Sequence, residues 1–296
     1  MEELALLNLS AKKLEGKVAI VTGGASGIGE ATARLFADHG IRAVVIADIQ
    51  DEKGQKVAES IGSKQCRYFH CNVNDEDQVK AMVKWTVETY GKLDYMFSNA
   101  GIVSNSDQTV VDLDLSELDH LFKVNVRGMA ACVKHAACAM VERKVKGSIV
   151  CTASVAASRG GALRTDYIMA KHAVLGLVRC ASRQLGVYGI RVNSVSPSAI
   201  ATPLTSVTSC QTRAEDIMRV YEPLTSLKGI VLTGKHIADA ALFLVSEDSA
   251  FITGHDLVVD GGLVCLPGPN HFLANDGTRN QELQHGEEIT DFSLEG

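Results

Sequence analysis

The stretch Val18-Ala19-Ile20-Val21-Thr22-Gly23-Gly24-Ala25-Ser26-Gly27-Ile28-Gly29 decides the fold. Its apolar opening reads as a strand and its glycines as a tight turn. Ile28, Ala31, Leu35 and Phe36 then repeat at helical spacing. Strand, glycine turn and helix, in that order, form the context in which such glycines hold a dinucleotide. Gly23 permits the sharp exit from the strand, Gly27 lets backbone approach a pyrophosphate, and Gly29 lets the helix lie close on the sheet. The first N–H groups of that helix, unpaired and at the positive end of its dipole, face the phosphates.

The alternation continues outward from this point. Segments 43–47, 66–70, 93–98, 148–152, 190–196 and 257–259 read as strands, and 52–61, 75–90, 115–141, 167–185 and 237–245 as helices. The run at 43–47 is continuously apolar, as suits a parallel strand buried on both faces. The expected fold is α/β, a doubly wound parallel sheet with helices on both faces. Gly23, Asp48, Asn72, Asn99, Ser154 and Pro197 all fall at or just past strand ends, along the single sheet edge where ligands bind. One domain is expected over 15–265, preceded by a loosely held arm at 1–14 and followed by a flexible polar tail at 266–296.

Composition narrows the class. The 296 residues carry a formal charge of −6 and show no basic cluster, which argues against a nucleic-acid partner. No apolar run is long enough to span a bilayer, and the acidic start Met1-Glu2-Glu3 resembles neither a secretory signal nor a transit peptide. A cytoplasmic location without membrane contact is expected. The eight cysteines include no Cys-x-x-Cys pair, so disulfides are not expected. Cys132, His135 and Cys138 have no partner pair with ligand spacing and read as helix residues rather than a metal site.

Asp48 ends the second strand nineteen residues after Gly29, the place for a carboxylate that accepts from adenosine ribose hydroxyls and repels a 2′-phosphate. Ile49 follows it, and the glycine turn holds no Lys or Arg; both points favour NAD over NADP. Tyr167 and Lys171 stand four apart on one helix, hence on one face. A cation near a phenol favours the phenolate, and such a tyrosine can take the proton of an alcohol while hydride leaves the carbinol carbon. Ser154, at the end of the fifth strand, can hold the alcohol or carbonyl oxygen, and Asn125 can anchor a water that relays protons past Lys171.

Together, Thr22-Gly-x-x-x-Gly27-x-Gly29, Asn99-Ala100-Gly101, Asn125, Ser154 and Tyr167-x-x-x-Lys171 resemble the short-chain dehydrogenase/reductase family over about residues 15–265. The resemblance implies a single-domain Rossmann fold, an Asn125–Ser154–Tyr167–Lys171 catalytic tetrad, bound NAD, and a homotetramer or homodimer. It implies that Ser26, Ile28 and the turn glycines lie along the cofactor phosphates, with Asp48 and Ile49 at the adenosine ribose. Asn72 and Val73 would flank the adenine, and Asn99, Ala100 and Gly101 would line the cleft. Lys171 would hold the nicotinamide ribose, with Pro197, Ile200 and Thr202 at the nicotinamide amide. Four positions depart from the family pattern: Asn72 in place of Asp, Ser198 in place of Gly, and Met169-Ala170, which make the wall beside Tyr167 more apolar.

Further stretches, among them 166–169, 175–179, 189–197 and 253–262, are similar to plant secondary-metabolism members of the xanthoxin dehydrogenase-like group. Within it they resemble the monoterpenoid enzymes of the mint family, isopiperitenol dehydrogenases and nepetalactol-related dehydrogenases and cyclases. The substrate would be a small apolar terpenoid, held by Ser154 and Tyr167 and by a lid at 203–227 that carries Leu204, Met218 and Tyr221, with the 158–163 loop on the other side. The expected reaction is NAD-dependent oxidation of a secondary, allylic or lactol hydroxyl, and the alternative is an NAD-bound cyclase or isomerase with no net redox.

Overall fold

The computed structural model describes residues 12–200 and 221–265. The strands are β1 (Val18–Thr22), β2 (Ala43–Asp48), β3 (Cys66–His70), β4 (Tyr95–Ser98), β5 (Ser148–Thr152), β6 (Arg191–Pro197) and β7 (Asp256–Val259). They form one parallel sheet in the order β3-β2-β1-β4-β5-β6-β7. The order reverses at β1, which opens a crevice past the carboxyl ends of β1 and β4.

The sheet's two faces are separated by side-chain alternation along each strand. On β1, Ile20 joins Val45, Met96 and Ile149 on one face, beneath the helices α3 (Glu76–Tyr90), α5 (Met129–Glu142) and α6 (Thr165–Leu185). Ala19 and Val21 join Val44, Ile46 and Phe97 on the other, beneath α1 (Gly27–Asp38), α2 (Asp51–Ile61) and α7 (Gly234–Val245). Every residue of β1 and β2 is buried, which explains why these strands are apolar throughout rather than alternating. Helix starts follow local chemistry. The Asp75 side chain accepts from the N–H groups of Asp77 and Gln78 to begin α3, and Asp114 accepts from Ser116 and Glu117 to begin α4 (Leu115–Phe122).

The structure departs from the sequence expectation in two places. The helix expected over 115–141 is not one continuous α-helix: α4 and α5 are joined by a π-helical turn, Lys123–Gly128, with Asn125 inside it. A single π turn inside an α-helix is too short to carry a periodicity of its own, so the pattern does not reveal it. The expected amino-terminal arm is also shorter. Leu14 is fully buried and its N–H bonds His39 O at 3.1 Å, so residues 12–14 belong to the domain. Residues 1–11 of the arm, 201–220 of the lid and connecting segment, and the 266–296 tail lie outside the described residues. Among the described residues no helix is long and apolar enough to cross a membrane.

Candidate active site

A cleft of about 1110 Å³ runs along the carboxyl ends of the strands. At its centre the glycine turn is packed to backbone contact. Gly23 has φ +67°, and a Cβ on Gly29 would sit 2.1 Å from Gly23 O. Gly29 therefore does not line the cleft; it brings α1 against the turn, and Gly23, Ser26, Gly27 and Ile28 form the wall. Ser26 makes no side-chain cap to α1, so its first N–H groups remain available to an anion. This cradle fits the diphosphate of a dinucleotide.

Asp48 closes the β2 side. Its Oδ1 accepts from Ile49 N at 2.8 Å, Gln50 N at 3.1 Å and Gln50 Nε2 at 3.3 Å, and its Oδ2 from Ala25 N at 3.1 Å. The carboxylate is thus locked to the glycine turn while Oδ2 keeps acceptor capacity toward the cleft. Ile49, Asn72 and Val73 line the same end. Asn72 Oδ1 also accepts from Asn74 N at 3.0 Å, which fixes the turn after β3. Lys53, one turn into α2, lines this end as well, with its Nζ donating to Gln50 Oε1 at 2.7 Å. The reading of the glycine turn alone missed this cation.

Asn99 ties the sheet edge together. Its Nδ2 donates to Thr22 O at 3.0 Å, Thr152 Oγ1 donates to its Oδ1 at 3.0 Å, and Thr22 Oγ1 accepts from Asn99 N and Ala100 N. Thr22 and Thr152 are structural members of the site, each the last residue of its strand; the sequence reading quoted Thr22 only as part of the glycine motif and did not single out Thr152. Pro197, Ala199 and Ile200 line the cleft beyond β6. Ser198, where the family pattern has glycine, has no positive φ, and its N–H bonds Val259 O at 3.3 Å.

Ser154, Tyr167 and Lys171 meet at the far end of the cleft. Ser154 Oγ accepts from Ala156 N at 3.2 Å, and its side chain is hydrogen-bonded to the Tyr167 phenol. Lys171 is buried. Its Nζ donates to Thr152 O at 2.8 Å and lies 5.5 Å from the Tyr167 ring centroid. Burial holds the Lys171 ammonium down at about 8. Burial also raises the Tyr167 phenol, and the bond from Ser154 pulls it back only in part. The expectation that Lys171 lowers the tyrosine is therefore outweighed by desolvation in the free protein.

Asn125 stands behind this cluster, fully buried. Its Oδ1 accepts from Ile102 N and its Nδ2 donates to Ile102 O, both at 2.8 Å. Each group makes one of these bonds and keeps a second donor or acceptor position, so the side chain also holds the loop after β4, a role the sequence reading did not give it. A Cβ on Gly101 would meet Asn125 Oδ1 at 3.2 Å and Lys171 Nζ at 3.8 Å, which places that glycine between the two.

The substrate end is lined by Val103, Val155, Ile168 and Tyr221, with two polar wall residues: Arg159, inside the expected 158–163 loop, and His120, which the sequence reading missed. Ile168, not Met169, is the apolar neighbour of Tyr167 in the wall; Met169 is 45% exposed. Tyr221 is where the lid was expected to contribute. Leu224 and Leu227 of the same segment are exposed, and Thr202, Leu204 and Met218 lie outside the described residues. Of the three candidate metal-site residues, Cys132 is buried, Cys138 is exposed and His135 bonds Glu76 at 3.1 Å. No group of three possible metal ligands exists among the described residues.

Known proteins share this architecture. A family model described as enoyl-(acyl carrier protein) reductase matches residues 23–264. A (+)-cis,trans-nepetalactol synthase of Nepeta racemosa is 62% identical over 259 residues, 86% of this chain and 96% of the relative. A (−)-isopiperitenol/(−)-carveol dehydrogenase of Mentha piperita, named as mitochondrial, is 61% identical over 87% of this chain and 97% of its own length. A crystal structure of a short-chain type dehydrogenase/reductase from Mycobacterium marinum superposes with a TM-score of 0.79 at 32% identity, covering 87% of this chain and 99% of the other. Shared sequence over nearly the whole domain, the reversed strand order and the Ser154–Tyr167–Lys171 cluster lead to one conclusion: the chain belongs to the short-chain dehydrogenase/reductase family.

Proposed function

We propose that this chain is an NAD-dependent dehydrogenase that oxidises a secondary, allylic or lactol hydroxyl of a monoterpenoid to the ketone or lactone. The observation that carries the reading is one continuous cleft with Asp48 at one end and Ser154, Tyr167 and Lys171 at the other. Asp48 supports NAD over NADP, because its carboxylate can accept from a ribose hydroxyl and repels a phosphate in that place. When bound, the nicotinamide supplies a hydride acceptor.

Ser154 donates to the substrate oxygen and orients the carbinol carbon. Tyr167, as phenolate, takes the hydroxyl proton while the C–H electron pair departs as hydride, so one proton and one hydride leave the alcohol. Lys171, protonated below about 8, puts a positive charge 5.5 Å from the Tyr167 ring that favours the phenolate. The apolar wall of Val103, Val155 and Ile168 suits a terpenoid skeleton.

The relative named for isopiperitenol and carveol supports this reading, and those named nepetalactol synthases, at 59–62% identity, support a second one. In that reading the same cleft, with NAD bound, guides cyclisation of a reactive monoterpenoid with no net redox. The test is NADH formation by the purified chain with NAD and a panel of monoterpenols including isopiperitenol, borneol and nepetalactol stereoisomers, with products followed by gas chromatography. NADH from one alcohol, lost in Tyr167→Phe while NAD still binds, is the expected result. Retained turnover in Tyr167→Phe overturns the mechanism, and altered products without NADH select the cyclase.

A further inference from the structure

Asp166, the residue before Tyr167, is fully buried in the first turn of α6. The Ser104 hydroxyl donates to its Oδ2, and its Oδ1 is buried without a hydrogen-bond partner. A buried carboxylate is costly, and an apolar residue of similar size would serve stability as well or better. The amino-terminal end of α6 offsets part of that cost.

The neighbours of Asp166 hold the same loop. Arg164 sits in the left-handed region at φ +67°, an uncommon conformation for a residue other than glycine, and its Nη1 donates to Ser104 O and Ser106 O, each at 2.6 Å. Thr165 N donates to Gln108 O at 2.9 Å. Gln108 is itself buried, its Nε2 donating to Ser106 Oγ and its Oε1 accepting from Asp114 N. Three consecutive residues directly before Tyr167 are thus bonded to the strap 104–108. Two residues before the strap, Ile102 is gripped by Asn125 through both backbone groups.

We propose that Asp166 is a positioning residue: through Ser104 it locks the first turn of α6 to the strap and so fixes where the Tyr167 phenol stands relative to Ser154. This rests on the assignment of Tyr167 as the proton-transfer group. Without the lock the first turn of α6 can rotate, and the phenol swings with it. Asn keeps an acceptor for Ser104; Ala does not.

The experiment uses the full chain labelled with 3-fluorotyrosine. The Tyr167 fluorine resonance, one among six tyrosines, is assigned by its disappearance in Tyr167→Phe. Asp166→Ala and Ser104→Ala are expected to shift or broaden it, with Asp166→Asn close to wild type. On a substrate that is turned over, kcat in Asp166→Ala falls roughly tenfold with KM for NAD unchanged. A stabilising role alone would lower Tm and leave the resonance of the folded protein in place. Should Asp166→Ala fail to fold, Ser104→Ala, which removes one hydroxyl, carries the test. An unmoved Tyr167 resonance in the folded variants overturns the proposal whatever the activity. A wild-type chain that makes no NADH from any alcohol overturns the dehydrogenase reading instead, and the resonance still decides the role of Asp166.

Discussion

Replacing Gly29 by alanine puts a methyl group where there is no room. The new Cβ would lie 2.1 Å from Gly23 O, 2.7 Å from Gly23 C and 3.0 Å from Asn99 Nδ2. Two of these neighbours are backbone and the third is bonded to Thr22 O, so none can swing aside. To restore ordinary contact, α1 and the glycine turn must part by about 1 Å, and overpacking of this kind costs ~1–3 kcal/mol. The displacement falls on the N–H groups that would face the phosphates of the proposed dinucleotide. Losing one hydrogen bond to a charged group costs ~1.5–3 kcal/mol, roughly ten- to a hundredfold in Kd. Calorimetric titration of NAD into Gly29→Ala should show that loss, and a thermal melt should show a lower Tm. Gly186→Ala is the control: its φ is −55° and a Cβ there meets nothing within 4 Å. That variant should bind NAD normally and be more stable by about 0.4–1 kcal/mol. Wild-type affinity and Tm in Gly29→Ala would refute the reasoning.

Two further predictions concern charge. Asp48→Asn should narrow the preference for NAD over NADP by roughly tenfold in Kd, because an amide does not repel a phosphate; adding Lys53→Ala should weaken the NADP gained. Fluorescence titration with both cofactors reads this, and an unchanged ratio in Asp48→Asn counts against Asp48 as the discriminator. Lys171 is held at about 8 in the fold against 10.5 in the unfolded chain, so between those values the unfolded state binds more protons and stability rises with pH. Lys171→Met, free of this titration, should therefore gain most over wild type in Tm below pH 8, with the advantage shrinking as pH climbs toward 10.5. A Tm difference that stays flat across that window would show that Lys171 is not desolvated.

Much of this architecture is legible in the chain because its signals are local. The third strand at 66–70 and the fifth at 148–152 fall where the side-chain pattern puts them. Asp48 is readable because its distance from Gly29 is fixed by one helix and one strand. What the sequence hides depends on contacts between segments far apart. Nothing near Asn125 says that its amide will close on Ile102 across 23 residues, and the π turn that carries it is too short to show a periodicity of its own. The bond from Lys171 to Thr152 O, the entry of His120 and Lys53 into the cleft wall, and the burial that raises Tyr167 all arise only once the sheet has assembled. Helical spacing correctly joins Tyr167 to Lys171, but it cannot weigh a neighbouring charge against desolvation.

The reversal of strand order at β1 also divides the chain by task. Everything that grips the proposed dinucleotide's adenosine and phosphates comes from residues before Gly101, and the reacting cluster with its polar wall comes from residues after it. The seam is Asn99, which must satisfy Thr22 on one side and Thr152 on the other. A chimaera joined just beyond Gly101 could exchange the reacting half while keeping the gripping half, provided the incoming fifth strand ends in a residue that can donate a hydrogen bond to Asn99. New substrates could thus be acquired by recombination at a single point, with cofactor choice inherited unchanged.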